Sequence, residues 1–207
     1  QEIEDRIYNN VDFDYNIILE DRIKAVAHAI TKYMKQKRLR MAKTIVFCAD
    51  EAAAERMRQA LAQENADMMQ KNPDYVVRIT GSDTYGKDKL DYFISVSSPY
   101  PVIATTSELL STGVDCKMVK LIVLDKNISS MTQFKQIVGR GTRLREKDGK
   151  THFTIMAEHS EVIDAYIERM YKKGTETVNS YKISPQMLLK CQKNVRKMCG
   201  ILMEEIS

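Results

Sequence analysis

The sequence has no long hydrophobic run. Its longest apolar stretches are short, such as LIVLD at 121–125, whereas a membrane-spanning helix needs roughly 18–20 consecutive apolar residues. The opening residues, QEIEDRIYNN, lack the basic start and the apolar segment of a secretory signal peptide. We therefore expect a cytoplasmic protein that has no membrane among its partners.

Cysteine and histidine are too few and too scattered to indicate a metal site. No C-x-x-C pair occurs among the four cysteines, which are Cys48, Cys116, Cys191 and Cys199. No metal-type spacing relates them to the three histidines, which are His28, His152 and His159. Because zinc sites and disulfide-rich domains both use short, regular spacings, we expect neither in this chain.

An excess of charge of one sign is also missing. The formal net charge is only +4, from 32 basic and 28 acidic residues. Basic residues cluster at 35–43 and 143–150, which indicates an anionic partner only weakly. A solvated helix end is the favoured interpretation of the first cluster.

Apolar runs rich in β-branched residues recur along the chain, at 44–48, 75–80, 101–105, 119–125 and 152–156. Their continuous rather than alternating hydrophobicity is typical of strands that are buried on both faces of a sheet. Helical periodicity fills the intervals, at 50–70, about 87–95, near 107–111 and at 130–140. The alternation predicts an α/β fold in which helices cover both faces of a mostly parallel sheet.

Further helices flank the predicted sheet. The one before the first strand has an apolar face formed by Ile23, Val26, Ala27, Ile30, Tyr33 and Met34. Two more are predicted after the last strand, over 160–173 and 185–205. Since 43% of the 207 residues are hydrophobic, the chain can bury a core. We expect one domain over 1–156 and a helical extension over 157–207.

One stretch imitates a phosphate-binding loop. Gly81, Gly86 and Lys87 in GSDTYGKD have the spacing of G-x-x-x-x-G-K-[ST] and follow a predicted strand. Asp88, however, stands where a magnesium-binding hydroxyl is needed, and its carboxylate would lie beside the phosphates. We interpret the stretch as a strand-to-helix loop whose N–H groups are free for some other phosphate.

A second stretch imitates an acidic magnesium motif. Asp50 and Glu51 begin DEAA directly after a predicted strand, but this motif follows the phosphate loop in nucleotide hydrolases, and here the order is inverted. We interpret Asp50 as a helix N-cap and Glu51 as an acidic residue in the positive first turn of the next helix.

Three other segments carry a specific pattern. QIVGRGTR matches Q-x-x-G-R-x-x-R and resembles motif VI of the superfamily 2 helicases and translocases, through Gln136, Gly139, Arg140 and Arg143. Upstream, ATTSELLSTGVDC resembles their motif V, with Thr112, Gly113 and Asp115, and KTIVFCAD resembles motif IV. The three occur in the family's order and spacing.

The resemblance implies a RecA-like three-layer domain that forms one wall of a nucleotide cleft. In that family the motif VI arginines, here Arg140 and Arg143, reach the γ-phosphate and stabilise the charge that develops during phosphoryl transfer. A planar guanidinium suits this task better than lysine does. The resemblance also implies nucleotide-binding roles for Gln136, Gly139, Gly113 and Asp115. A surface ion pair is the alternative for the two arginines.

The same resemblance implies contacts with nucleic acid. In related motors the loops that follow the strands of this domain contact the DNA backbone. The corresponding residues here are Thr80, Gly81, Thr105, Thr106 and Thr112. Hydroxyl and backbone N–H groups suit phosphate oxygens and carry no sequence information.

Over roughly residues 1–156, the sequence resembles the motor of the restriction (R) subunits of type I restriction-modification enzymes. This implies ATP-driven translocation of double-stranded DNA that is coupled to cleavage. The implied cofactors are ATP and Mg²⁺, with the Mg²⁺ ligands outside this chain. The implied partners are double-stranded DNA, the first RecA-like motor domain and the nuclease domain of the same polypeptide, and the modification and specificity subunits.

The chain departs from that family in several respects. It has no convincing phosphate loop, acidic magnesium motif or P-D…[DE]-x-K nuclease site, so we expect it to be inactive by itself. After FTIM an acidic-aromatic pair and a long linker are expected, and AEHSEV follows instead. Either this subfamily differs or residues are missing between Met156 and Ala157.

Two alternatives remain open from the sequence. The chain could belong to another DNA-remodelling or repair ATPase of superfamily 2, which a nuclease domain encoded upstream would argue against. It could also be a non-catalytic interaction module with the same fold, which restoration of ATPase activity by the missing half would argue against.

Overall fold

The computed structural model describes residues 10–107, 116–126, 128, 130–139, 150 and 153–157, with side chains from residue 20 onward except those of residues 131 and 138. The helices within this part are α1 (Asn10–Gln36), α2 (Glu51–Glu64), α3 (Ala66–Lys71), α4 (Thr84–Ile94) and α5 (Met131–Gly139). The strands are β1 (Thr44–Cys48), β2 (Val76–Arg78), β3 (Ile103–Thr106), β4 (Leu121–Asp125) and β5 (Thr154–Ala157).

The strands form one sheet in the order β2-β3-β1-β4-β5, and every neighbouring pair is parallel. All five residues of β1 and of β4 are buried. The prediction of a parallel sheet buried on both faces is therefore confirmed. Each strand starts within two residues of its predicted start, and β2 is shorter than the apolar run at 75–80.

The two faces of the sheet have separate hydrophobic cores. Along β1, Val46 and Cys48 belong to one core and Ile45 and Phe47 to the other, as the alternation of side chains along a strand requires. The first core is covered by α1, α2 and α3, and the second by α4 and α5. Because both sides are filled, the strands carry the continuous hydrophobicity seen in the sequence.

The predicted apolar face of α1 is confirmed. Its residues are buried except Tyr33, which is partly buried and whose hydroxyl lies 3.1 Å from Thr154 Oγ1. The structure thus ties α1 to β5 across the first core. Burying such a stripe accounts for most of the stability of a helix in a folded protein.

The single helix predicted over 50–70 is wrong, because the chain breaks at Asn65 into α2 and α3. The buried Asn65 side chain donates from Nδ2 to the carbonyl of Leu61 at 2.9 Å and to Thr31 Oγ1 at 2.8 Å. An asparagine that binds the backbone one turn back competes with continuation of the helix. The helical periodicity of the sequence does not indicate that Asn65 binds Thr31 of α1.

Several predictions fall outside the described residues, namely the helices near 107–111, at 160–173 and at 185–205. β5 continues through Ala157, one residue past the predicted domain boundary. Cys48 and Cys116 are buried and are not joined in a disulfide. Among the described residues, no helix is both long enough and apolar enough to cross a bilayer.

Candidate functional site

The carboxyl ends of all five strands meet at one edge of the sheet, because every neighbouring pair is parallel. Cys48 at the end of β1 pairs in register with Asp125 at the end of β4, and Phe47 pairs with Thr106 of β3. Ligands of open α/β sheets bind at this edge. Thr80 and Gly81, which follow β2, and Thr105 and Thr106, which end β3, lie at this edge.

The end of β4 is held by two long-range contacts. Arg22 Nη2 of α1 donates to Asp125 Oδ1 at 2.7 Å, and only 5% of the Asp125 side chain is exposed. Lys126 Nζ donates to the carbonyl of Ser107 at 3.0 Å. The connection that leads from β4 into α5 is thereby anchored at its start. Sequence reasoning missed both contacts.

The sequence that imitates a phosphate loop has another role in the structure. Asp83 caps α4, and its Oδ1 accepts from the N–H of Gly86 at 3.2 Å. Gly86 is buried in the first turn of α4, and a Cβ added there would lie 2.1 Å from the carbonyl oxygen of Arg78. The glycine therefore allows the helix to approach the backbone of β2. This geometry supports the interpretation that the stretch does not cradle nucleotide phosphates.

The sequence that imitates an acidic magnesium motif starts α2. Asp50 Oδ1 accepts from the N–H of Ala53 at 2.6 Å, so the prediction of an N-cap is confirmed. Glu51 lies in the first turn, as predicted. Its carboxylate reaches across to the β2–α4 loop, where it accepts from the N–H of Ser82 at 3.4 Å and from the Ser82 hydroxyl.

That contact corrects one expectation. The N–H groups of the β2–α4 loop, residues 80–83, were expected to be free, but the Ser82 N–H donates to Glu51. The Asp83 N–H donates to the carbonyl of Thr80 at 3.4 Å. Glu51 and Ser82 are 31 positions apart in the sequence, so only the fold brings them together.

A second acidic residue of α2 contacts Arg78 at the end of β2, just before this loop. Glu55 accepts from Arg58 through Nε and Nη2, with Nη2 at 2.7 Å from Oε1, and the Arg58 contact lowers the pKa of the Glu55 carboxyl. Arg78 Nη1 lies 3.7 Å from Glu55 Oε2, while Arg78 Nε donates to Asp83 Oδ2 at 3.1 Å. The base of the loop is therefore fixed by an ion-pair network between α2, β2 and α4.

The predicted DNA contacts have very different exposure. Thr80, Thr105 and Thr106 are buried, and Gly81 is exposed. The Oγ1 atoms of Thr80 and Thr105 have no hydrogen-bond partner among the described residues. In this conformation the hydroxyls of these three threonines have no access to a phosphate, so Gly81, next to the exposed Ser82, is the described member of the set that a ligand can reach. Thr112 lies outside the described residues.

Helix α5 carries the first half of the motif VI pattern. Ser130 precedes it, and the Ser130 Oγ accepts from the N–H of Gln133 at 3.4 Å. Phe134 and Ile137 are buried in the second core, whereas Gln136 and Gly139 are exposed. The apolar positions thus fix the helix, and the pattern residues face away from the core. The predicted site residues Arg140, Arg143, Gly113 and Asp115 lie outside the described residues.

The described residues contain no cluster of three or more histidine, cysteine or acidic side chains that could hold a metal ion.

No protein-family model matches the sequence. One curated relative, the endonuclease subunit of the type I restriction enzyme EcoAI from Escherichia coli, is 56% identical over 154 residues. This match covers 74% of the chain but only 19% of that subunit.

The chain is related to one segment of the type I restriction endonuclease subunits. The EcoKI endonuclease subunit from Escherichia coli K12 is 28% identical over 166 residues, which cover 79% of this chain and 14% of that protein. The chain therefore spans less than a fifth of the length of either relative.

One solved structure supports this relationship, and a second shares the fold alone. A fragment structure of a candidate HsdR subunit of a type I restriction enzyme from Vibrio vulnificus YJ016 is 48% identical to this chain, with a TM-score of 0.64. The match covers 70% of this chain and 28% of that one. Domain 2 of the DEAD-box helicase Mss116p, bound to an RNA duplex, is 14% identical, with a TM-score of 0.50 over 90% of this chain and 83% of that one. The predicted RecA-like, helicase-type α/β fold is confirmed.

Proposed function

We propose that this chain is the second RecA-like half of an ATP-driven motor that moves double-stranded DNA through a type I restriction endonuclease. The observation that carries the proposal is the exposure on α5 of Gln136 and Gly139, which form the first half of the motif VI pattern. Buried Phe134 and Ile137 anchor that helix, and Gln136 and Gly139 are exposed beside the start of the Arg140–Arg143 segment. A helix held in this way can present arginines to a nucleotide that is bound partly by another domain.

The nucleotide would be ATP with Mg²⁺. Gln136 and Gly139 can contact this nucleotide because both are exposed and, being three positions apart, lie on the same face of α5. The chain itself would supply the guanidinium groups of Arg140 and Arg143, which stay protonated and offer a fork of donors to phosphate oxygens. We assign the Mg²⁺ ligands to the first RecA-like domain, so the segment alone should not turn over ATP.

Double-stranded DNA would lie along the carboxyl edge of the sheet. The exposed Gly81–Ser82 segment is fixed at its base by Arg78 and Asp83, so its backbone can meet a phosphate without much loss of conformational freedom. Other domains of the same polypeptide, and the modification and specificity subunits, would supply cleavage and recognition of the target sequence. Binding by this edge should be indifferent to sequence and should weaken with salt.

The test replaces each arginine by lysine in the full-length subunit. Lysine keeps the charge but not the planar fork. If the arginines stabilise the transition state, Arg140→Lys and Arg143→Lys should each lower DNA-dependent ATPase turnover by about 10³–10⁵-fold. The thermal midpoint and DNA affinity should remain close to those of the unchanged protein.

A matched control is Arg38→Lys. Arg38 is exposed and follows α1 just before β1, at the opposite edge of the sheet, so this change should leave turnover unaltered. Near-normal turnover in both test variants would refute the catalytic assignment. A large fall in their thermal midpoint would show instead that the two arginines hold the fold together.

A further inference from the structure

Two carboxylates of α2 lie beside the loop that we propose for DNA. Glu51 contacts Ser82 of this loop, and Glu55, one helical turn further along α2, contacts Arg78 at the end of β2. Glu55 is balanced by Arg58 and Arg78. The Glu51 carboxylate instead has Ser82 as its hydrogen-bond partner. An acidic group at this position repels the phosphates of an approaching DNA.

The donors that hold Glu51 are the kind that hold a phosphate. The backbone N–H of Ser82 lies 3.4 Å from Glu51 Oε1, and the Ser82 hydroxyl donates to Oε2. A backbone N–H and a hydroxyl that converge on two oxygens of one anion bind a carboxylate or a phosphate by the same chemistry. The two anions cannot occupy these donors together, because they would be in contact and repel each other.

We propose that Glu51 is a built-in competitor for the DNA phosphate at the β2–α4 loop. This inference rests on the proposed function, because it takes that loop as a DNA contact. In the free protein the Glu51 carboxylate accepts the hydrogen bonds that the N–H and hydroxyl of Ser82 donate. DNA binds the loop only after that carboxylate has left, so the affinity of the motor for DNA is kept below the value that the loop could give.

The loop keeps its shape when Glu51 leaves. Asp83 remains bound to Arg78 and to the N–H of Gly86, at 3.1 Å and 3.2 Å. Ser82 is exposed, so a phosphate can reach it once the carboxylate has left.

The experiment measures binding of the full-length subunit to a duplex that lacks a recognition sequence, by fluorescence anisotropy at about 0.1 M and about 0.3 M salt. Glu51→Gln removes the competing charge and leaves a neutral amide oxygen that binds Ser82 more weakly, so binding should tighten by about 3- to 10-fold. The gain should persist at the higher salt concentration, because displacement of a bound carboxylate is a contact effect.

Glu64→Gln is the matched control. Glu64 ends the same helix and its Oε2 lies 3.2 Å from His28 Nδ1, so this substitution changes the net charge equally but far from Ser82. It should alter affinity by less than about twofold. In a Ser82→Ala background, the gain from Glu51→Gln should shrink, because one of the two contested donors is gone.

Each outcome decides the proposal. If the unchanged subunit binds the duplex and Glu51→Gln binds no tighter, the competitor is refuted and the proposed function stands. An equal gain from Glu64→Gln, or a gain that disappears at higher salt, would show a general effect of charge and would also refute it. If no variant binds duplex DNA at all, both the competitor and the proposed DNA contact are wrong.

Discussion

Gly86→Ala is a sharp test of how α4 packs on the sheet. A Cβ at this position would lie 2.1 Å from the carbonyl oxygen of Arg78 and 3.1 Å from the Cα of Ile79, both of them backbone atoms. Real Cβ contacts are essentially never shorter than 3.0 Å. Because no flexible side chain can move aside, the first turn of α4 must shift away from β2.

The shift has consequences for neighbouring contacts. It pulls the Gly86 N–H away from Asp83, whose other carboxylate oxygen is bound to Arg78. Forced overpacking costs about 1–3 kcal/mol, and loss of a helix cap costs about 1 kcal/mol. Replacing glycine by alanine inside a helix returns about 1 kcal/mol. The expected net loss in free energy of unfolding is therefore about 1–3 kcal/mol.

Gly139→Ala provides the control for this calculation. Gly139 ends α5, and an added Cβ would have nothing within 4 Å. Its stability should be unchanged or higher by up to about 1 kcal/mol. Urea unfolding of the 207-residue chain, followed by circular dichroism, measures both variants, and the slope of the transition should stay constant. Equal stability of Gly86→Ala and the unchanged protein would refute the close approach of α4 to β2.

Two other changes test features at the amino-terminal edge of the sheet. Arg38 has a φ of 56° two residues after the end of α1, a position where glycine is favoured. Arg38→Gly should therefore raise the free energy of unfolding in urea by roughly 0.5–1 kcal/mol, and a loss of stability would show that the residue is not strained. Lys43 donates from Nζ to the carbonyl of Pro101 at 2.6 Å, and burial lowers the pKa of its ammonium group from 10.5 to about 8. At a pH between these two pKa values, Lys43 is protonated in the unfolded chain and neutral in the folded chain. The free energy of unfolding should therefore rise as the pH increases from about 8 to 10. Lys43→Met should flatten this rise in a series of urea midpoints, and an unchanged slope would assign it to other groups.

The features of this protein that depend on residues close together in the sequence could be predicted from the sequence. Continuous apolar runs predicted the parallel strands, since a strand with both faces covered has no polar positions to alternate with. Asp50 was recognisable as an N-cap because a carboxylate before a helix can reach the N–H three residues on, and it accepts from Ala53. The motif VI pattern could be recognised for the same reason, since its residues lie close together in the sequence, between positions 136 and 143.

The tertiary structure decided what depends on residues far apart in the chain. Asn65 ends α2 because it meets Thr31 of α1, and Gly86 is needed because α4 lies against the carbonyl of Arg78. Thr80 and Thr105 suited phosphate contacts by residue type, yet their hydroxyls are buried. The sequence could not indicate that Glu51 holds Ser82, because a surface carboxylate finds its partner only after packing of the sheet has placed α2 beside the β2–α4 loop.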